Sequence, residues 1–219
     1  MSYYALLGLE REPFSTSPDP DFFYRSWGHL TALRRLELNI RLKRGASLVC
    51  GDVGTGKTVL CRVLAREFSG DPHVDLHMLL DPDFDSRGEF LKTLCRMFRI
   101  RVGAESVLAQ KEALERYLFR HAQARGRLIV CIIDEGQKLS VENLELLRTL
   151  LNFETSEHKL LQLVIMGQPE MVPRMESMRN FLDRVSLKYT INPLAEKECG
   201  EMIAFRLRQA GYPGRRQVF

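Results

Sequence analysis

The stretch from Ala46 to Phe68, ASLVCGDVGTGKTVLCRVLAREF, constrains the fold more than any other part of the chain. It sets a short apolar run, a glycine-rich turn and an apolar pattern of helical spacing one after another. Gly51-Asp52-Val53-Gly54-Thr55-Gly56-Lys57-Thr58 fits G-x-x-x-x-G-K-[ST] at each fixed position. Glycines let successive backbone N–H groups wrap an anion where a Cβ would intrude. A helix starting there adds the positive end of its dipole. Lys57 is long enough to reach outer phosphates, and the Thr58 hydroxyl suits Mg²⁺. A plain glycine turn with a solvated lysine needs neither a strand before it nor a helix after it. Both are encoded: Ala46–Cys50 is nearly all apolar, and Val59, Leu60, Val63, Leu64 and Phe68 repeat at helical spacing. The expected phosphate cradle is Gly51, Asp52, Val53, Gly54, Thr55, Gly56, Lys57, Thr58 and Val59.

The second signal is Leu128–Ile133, LIVCII, followed by Asp134-Glu135. Six apolar residues rich in β-branching predict a buried parallel strand with two carboxylates at its C-terminal end. Open α/β sheets bind ligands at that edge. Asp134 is then expected to face the Mg²⁺ site and Glu135 to polarise an attacking water. An exposed acidic turn is the alternative, weak beside an upstream phosphate loop. Leu160–Gly167 predicts another buried strand, ending at Gln168, which would reach the terminal phosphate or the water unless it is a plain loop residue.

The rest of the chain fills in an α/β pattern. Ser26 to Arg44 reads as a helix stopped by Gly45, with Arg34, Arg35, Arg41 and Lys43 on its polar face. That face is solvated by default and open to nucleic acid as an alternative. Val74–Leu80 is a strand candidate. Ser86 and Glu89 make a capping-box pattern. A helix covers roughly 105–124, with His121 as a partly buried helix residue, and Ser140 caps a leucine-rich helix from Leu144 to Phe153. Val185–Ile191 alternates cleanly, as an outer strand with one wet face does. Arg179 and Arg184 flank the apolar piece before it. Ala195–Gln209 is a last amphipathic helix, and the chain then runs through Gly211, Pro213 and Gly214. Residues 3–25 hold Pro13, Pro18 and Pro20, which exclude a long helix, and many aromatics. They predict an arm packed on the domain, its phenylalanines either touching a base near the phosphate loop or only anchoring the arm. Five strand candidates separated by helices give a three-layer α/β domain with a mostly parallel sheet.

A net charge of +4 permits an acidic partner without requiring one. The five cysteines show no metal-binding spacing and suit a reducing, cytoplasmic compartment. The N-terminus lacks the basic-then-apolar pattern of a signal peptide.

The chain resembles the AAA+ ATPases of the general secretion pathway protein A (ExeA-like) type. The resemblance rests on the arm's Gly8-Leu9, Pro13-Phe14-Ser15, Pro18-Asp19-Pro20 and Phe23-Tyr24, on His29, on GDVGTGKT, CIIDEGQKLS, LRTLLNFET, LLQLVIMGQPE and DRVSLKYTINPL. It implies a P-loop NTPase that hydrolyses ATP with Mg²⁺, with a Walker B pair at Asp134 and Glu135 and a sensor role for Gln168. It implies that Arg184 acts across a subunit boundary of a homo-oligomer, a structural salt bridge being the other reading. It further implies a protein partner in a cell-envelope or secretion apparatus, at the inner membrane through that partner. Related transposition helpers and origin-recognition-type proteins keep a DNA-linked role open. The expected division is an arm and helix over 1–45, the NTPase core over 46–193, and the start of a helical lid over 194–219. Two departures stand out. Gly136 replaces the family's usual alanine, expected to be a small change, and the chain stops after the lid's first helix, so lid arginine contacts are expected to be missing. The short lid motivates a third reading, an ATP-gated switch that hydrolyses poorly.

Overall fold

A computed structural model describes residues 3–103, 106–178 and 181–212. Glu105, Arg179, Pro213 and Gly214, named above, lie outside the described residues. In chain order the elements are α1 (Tyr3–Leu6), α2 (Trp27–Arg41), β1 (Ala46–Gly51), α3 (Lys57–Phe68), β2 (Val74–Leu79), α4 (Arg87–Met97), α5 (Val107–Leu118), β3 (Leu128–Ile133), α6 (Val141–Leu150), β4 (Leu161–Gly167), α7 (Met171–Glu176), β5 (Val185–Ile191) and α8 (Glu196–Gln209).

The five strands form one sheet in the order β2-β3-β4-β1-β5, and all four pairings are parallel. β1 and β4 are buried along their whole length, which explains their unbroken apolar sequences. β5 pairs only with β1, and its alternation puts Ser186, Lys188 and Thr190 in water, as an edge strand with one wet face requires. One core lies between the sheet and α4, α5 and α6, around Phe90, Leu94, Leu114 and Leu147. The other lies between the sheet and α2 and α3, around Leu36, Leu60, Leu64 and Phe68. Each such side chain, fully buried, contributes about 1.5–3 kcal/mol of transfer free energy.

Serines open four helices. The hydroxyls of Ser26, Ser86, Ser106 and Ser140 each accept from a backbone N–H three residues on, satisfying a donor the helix leaves free. α2 ends at Arg41, short of Arg44, because the chain turns through left-handed Lys43 (φ 52°) and Gly45 (φ 94°). The helix expected to Ala124 is regular only to Leu118; Phe119–Ala124 widens into a π-helical turn before Gly126 reverses the chain at φ 66°.

The proline-rich arm has one short helix and a 3₁₀ turn at Pro20–Phe22. It joins the last helix to the domain. Leu9 and Phe22 make a separate small core with Leu207 and Ala210 of α8. Glu10 N–H donates to the Ala210 carbonyl at 2.8 Å, and Arg206 donates to the Pro13 carbonyl at 3.2 Å. On its other side the arm is held by α3, with Arg62 on the Pro18 carbonyl at 2.8 Å and Arg66 on Asp21 at 2.8 Å. No helix among the described residues is long and apolar enough to cross a membrane.

Candidate nucleotide site

Parallel pairing brings the C-terminal ends of β1, β3 and β4 to one edge. Cys50 is level with Gly167, and Ile133 is level with Ile165. The Gly51–Gly56 loop, the Asp134-Glu135 pair and Gln168 are therefore neighbours at that edge. Gly51 has no room for a side chain: a Cβ would lie 2.6 Å from Thr55 Oγ1 and 2.9 Å from the Ile191 carbonyl oxygen. Gly54 and Gly56 adopt φ of 80° and 84°, which L side chains rarely adopt. Thr55 Oγ1 donates to the Asp52 carbonyl at 2.8 Å and closes the loop on itself.

Lys57, at the start of α3, is only 7% exposed. Its ammonium donates to the carbonyls of Gly51 (2.7 Å) and Asp52 (2.8 Å), so it lies across its own loop. His29, in the first turn of α2, braces the loop from below. Its Nε2 meets the Thr55 carbonyl at 2.8 Å and its Nδ1 meets Ser26 Oγ at 2.7 Å. A carbonyl only accepts, so Nε2 carries the proton and Ser26 donates to Nδ1.

Asp134 is 1% exposed. Burial pushes its carboxyl above the ordinary value, while a hydrogen bond from the Thr58 side chain and the Glu135 N–H (3.0 Å) act the other way. A buried carboxylate touching a threonine hydroxyl is the donor set of a hard divalent cation, whose charge would relieve the desolvation. Glu135, half-buried, sits in left-handed backbone at φ 53°, an uncommon conformation for a residue with a side chain.

Gln137 connects the sequence-derived residues. Its Nε2 donates to Glu135 Oε2 at 2.5 Å, and its Oε1 accepts from the Gln168 N–H at 3.1 Å. Arg174 of α7 fixes this turn by donating to the carbonyls of Gln137 (2.9 Å) and Leu139 (2.8 Å). The change at Gly136 is not small in this chain: an alanine Cβ would lie 2.4 Å from Ile165 Cγ2.

A cavity of about 480 Å³ opens beside the loop. Phe14, Phe23 and Tyr24 of the arm form part of its wall, with Gly54–Gly56 and Val59 opposite. Asn192, Leu194, Met202 and Arg206 complete it. Phe22 anchors the arm in the small core and also lines the cavity, together with Phe14 and Phe23. Arg206, from the last helix, supplies an arginine where none was expected; burial lowers its pKa, and its Nε has no partner among the described residues.

Arg184 is not at this site. It precedes β5, and Ala46 is level with Val185 while Gly51 is level with Ile191. The length of β5 therefore separates it from its own phosphate loop, about 20 Å at strand rise. It has no ion-pair partner among the described residues, although its charge, after that of Lys159, helps hold Glu154 low. Of the four basic residues expected on this α2 helix, Lys43 lies beyond its end and two are engaged: Arg35 lies over the Tyr189 ring at 5.5 Å, and Arg41 pairs with Glu37 at 3.1 Å and Asp71 at 3.7 Å.

Sequence reasoning assigned no role to His29, Gln137, Arg174 or Arg206. Gln137 lies two residues after Glu135, and His29 is among the residues that carry the family resemblance; Arg174 and Arg206 are brought in by tertiary packing alone.

Residues 40–175 match a family model described as AAA domain. Over 211 residues, 95% of the chain, the sequence is 34% identical to General secretion pathway protein A of Aeromonas hydrophila, and it spans 38% of that protein's length. The fold is similar to the ORC2 protein of Aeropyrum pernix in its ADPNP-ADP complexes (TM-score 0.66, 13% identity, 90% of this chain and 55% of that one). It is equally similar to Cdc6p of Pyrobaculum aerophilum (TM-score 0.65, 17% identity, 90% and 52%) and to ORC1 of Aeropyrum pernix in complex with DNA (0.65, 17%, 86% and 51%).

Proposed function

Since the chain belongs to the AAA domain family, we propose that it binds Mg·ATP in the Gly51–Val59 loop and hydrolyses it to ADP and phosphate, coupling the cycle to a secretion or cell-envelope apparatus. The observation that carries this reading is the gathering of Lys57, Thr58, Asp134 and Glu135 at one sheet edge, beside an apolar cavity of about 480 Å³. The link to secretion rests on the identity to General secretion pathway protein A; the proposed site of action is the inner membrane, reached through a protein partner.

The geometry supports the following roles. The loop N–H groups and the start of α3 receive the phosphates. Lys57 leaves the Gly51 and Asp52 carbonyls for the outer phosphates, so the loop loses internal bonds as the ligand gains them. Thr58 and Asp134 would hold Mg²⁺, which neutralises charge developing between the β- and γ-phosphates when bound. Glu135 orients the attacking water. Gln168 would sense the terminal phosphate. Arg184 would complete the site of a neighbouring copy; such arginines are worth roughly 10³–10⁵ in rate in other nucleotidases.

A second reading, a switch that hydrolyses slowly, is favoured by one observation. Glu135 is engaged by Gln137 at 2.5 Å and must release that bond, or share it, to reach water. Turnover against protein concentration decides between them, wild type beside Lys57→Ala, Glu135→Gln and Arg184→Ala. Turnover per chain that rises with concentration and collapses in all three variants fits an assembled ATPase. Tight ATP binding with no turnover at any concentration fits the switch. Phosphate release equal to wild type in Lys57→Ala removes the enzyme reading.

A further inference from the structure

A second cavity, about 760 Å³, lies against the outer strand β2 toward the N-terminal ends of the strands, the edge opposite the phosphate loop. It shares no lining residue with the cavity beside the loop. Five arginines line it: Arg99, Arg101, Arg116, Arg120 and Arg127. The only carboxylate in its lining is Asp75, and that group is taken: it accepts from the Tyr117 hydroxyl and from His77 Nε2 at 3.0 Å. Arg116 pairs with Glu112 at 3.5 Å. Arg99, Arg101, Arg120 and Arg127 have no ion-pair partner among the described residues.

Arg99, Arg101, Arg116 and Arg120 are exposed, so water screens their mutual repulsion, and their combined field makes the concave space attractive to an anion. Two buried polar atoms add to the case. Arg127 reaches the Val74 carbonyl through its terminal nitrogen, but its Nε has no acceptor, and His121 Nδ1 has no partner. Burial and the surrounding arginines hold His121 below its ordinary value, so the ring is neutral near pH 7 and adds no charge of its own. Its ring stacks on Tyr117 at 4.1 Å between centroids and is held in place.

We propose that this cavity is a second ligand site, for a compact group carrying two or more phosphates. Guanidinium forks match phosphate oxygens bidentately, and the volume falls in the range of small-molecule pockets, about 300–1,000 Å³. A concave site of this size takes a terminal polyphosphate rather than a broad surface.

The test uses the full chain as Lys57→Ala, with wild type saturated by Mg·ADP as a second background, so that the phosphate loop does not contribute. Inorganic tripolyphosphate is titrated by calorimetry at low salt, beside a short oligonucleotide bearing a 5′-triphosphate. The expected result is saturable binding of at least one of them, weakened at least about tenfold in Arg101→Ala/Arg120→Ala, since the pair removes two guanidinium forks from the site. Both side chains are exposed, so this pair leaves the core intact. Tighter binding of the oligonucleotide places the phosphates on a nucleic-acid end, and tighter binding of tripolyphosphate places them on a small molecule; both support the site. No binding of either probe, binding unchanged in the paired variant, or equal displacement by poly-aspartate overturns it. None of these outcomes depends on whether the loop at Gly51–Val59 hydrolyses ATP.

Discussion

Gly136→Ala tests how tightly the turn carrying Glu135 and Gln137 is packed. Gly136 is buried, and its added Cβ would meet Ile165 Cγ2 at 2.4 Å, Met171 Sδ at 3.1 Å and the Met166 carbonyl oxygen at 3.2 Å. Carbon atoms rest at about 3.5–4.0 Å, so the turn and β4 must separate by on the order of an ångström. Ile165, Met166 and Met171 are all buried, so none of them can move aside into solvent. Overpacking of this kind costs about 1–3 kcal/mol. Restricting the unfolded chain offsets about 0.4–1 kcal/mol, because alanine has less freedom than glycine. A net loss of about 1–2 kcal/mol is expected, which for a chain of this length lowers Tm by roughly 2–8 °C. The assay is thermal unfolding by circular dichroism on a double-mutant cycle with Ile165→Ala. That substitution alone opens a cavity and should cost about 2–5 kcal/mol. Together the new methyl enters the space the isoleucine leaves, so the pair should be more stable than the sum of the singles by at least about 1 kcal/mol. A Gly136→Ala melting point equal to wild type, with strict additivity in the cycle, would refute the packing argument.

Three other outcomes follow. Lys57→Ala should weaken ATP binding at least about tenfold, read with a fluorescent nucleotide, since it removes charge-assisted contacts worth about 1.5–3 kcal/mol each. Gln137→Met, of similar length but without a donor, should free Glu135 and alter turnover while leaving nucleotide affinity near wild type; unchanged turnover would mean that the Glu135–Gln137 bond has no part in the step. The folded protein favours the protonated form of Asp134, so without metal its contribution to stability is largest at low pH and is lost as pH rises from the ordinary carboxylate value through the raised one. In chelator the melting point of wild type should therefore fall relative to Asp134→Asn over that interval, and Mg²⁺ should cancel the difference.

The parts legible in the sequence are those whose chemistry is local. A loop that must wrap an anion needs Gly51, Gly54 and Gly56 wherever it occurs, and the strands before it and before Asp134 announce themselves by unbroken apolar runs. β5 was legible for the opposite reason: one face is wet, so its alternation shows. What could not be read depends on distant parts of the chain meeting. The place of His29 under Thr55 requires α2 to cross beside the loop. The contact that makes Gly136 intolerant of a methyl comes from Ile165 on the neighbouring strand, and nothing in DEGQ announces it. Arg206 reaches the cavity because the aromatic arm holds the last helix there, a packing solution without sequence periodicity. The helix expected to run to Ala124 does so, but its last six residues widen to a π turn that nothing in the local sequence announces.

The opposed positions of Arg184 and the phosphate loop on neighbouring strands restrict how copies of this chain can share a site. A twofold dimer can share sites in the proposed way only if one face of the chain holds both the loop and Arg184, so that each copy's arginine meets the other's loop across the axis. Where the two lie on different faces, sharing takes a heterologous, head-to-tail contact, whose repetition either closes into a ring or continues as a helical filament. In an open row the first copy keeps an arginine with no loop to serve and the last keeps a loop with no arginine, so a row of any length has one complete site fewer than it has chains. Closure alone removes that deficit, and the activity of each chain would then report on the geometry of the whole assembly.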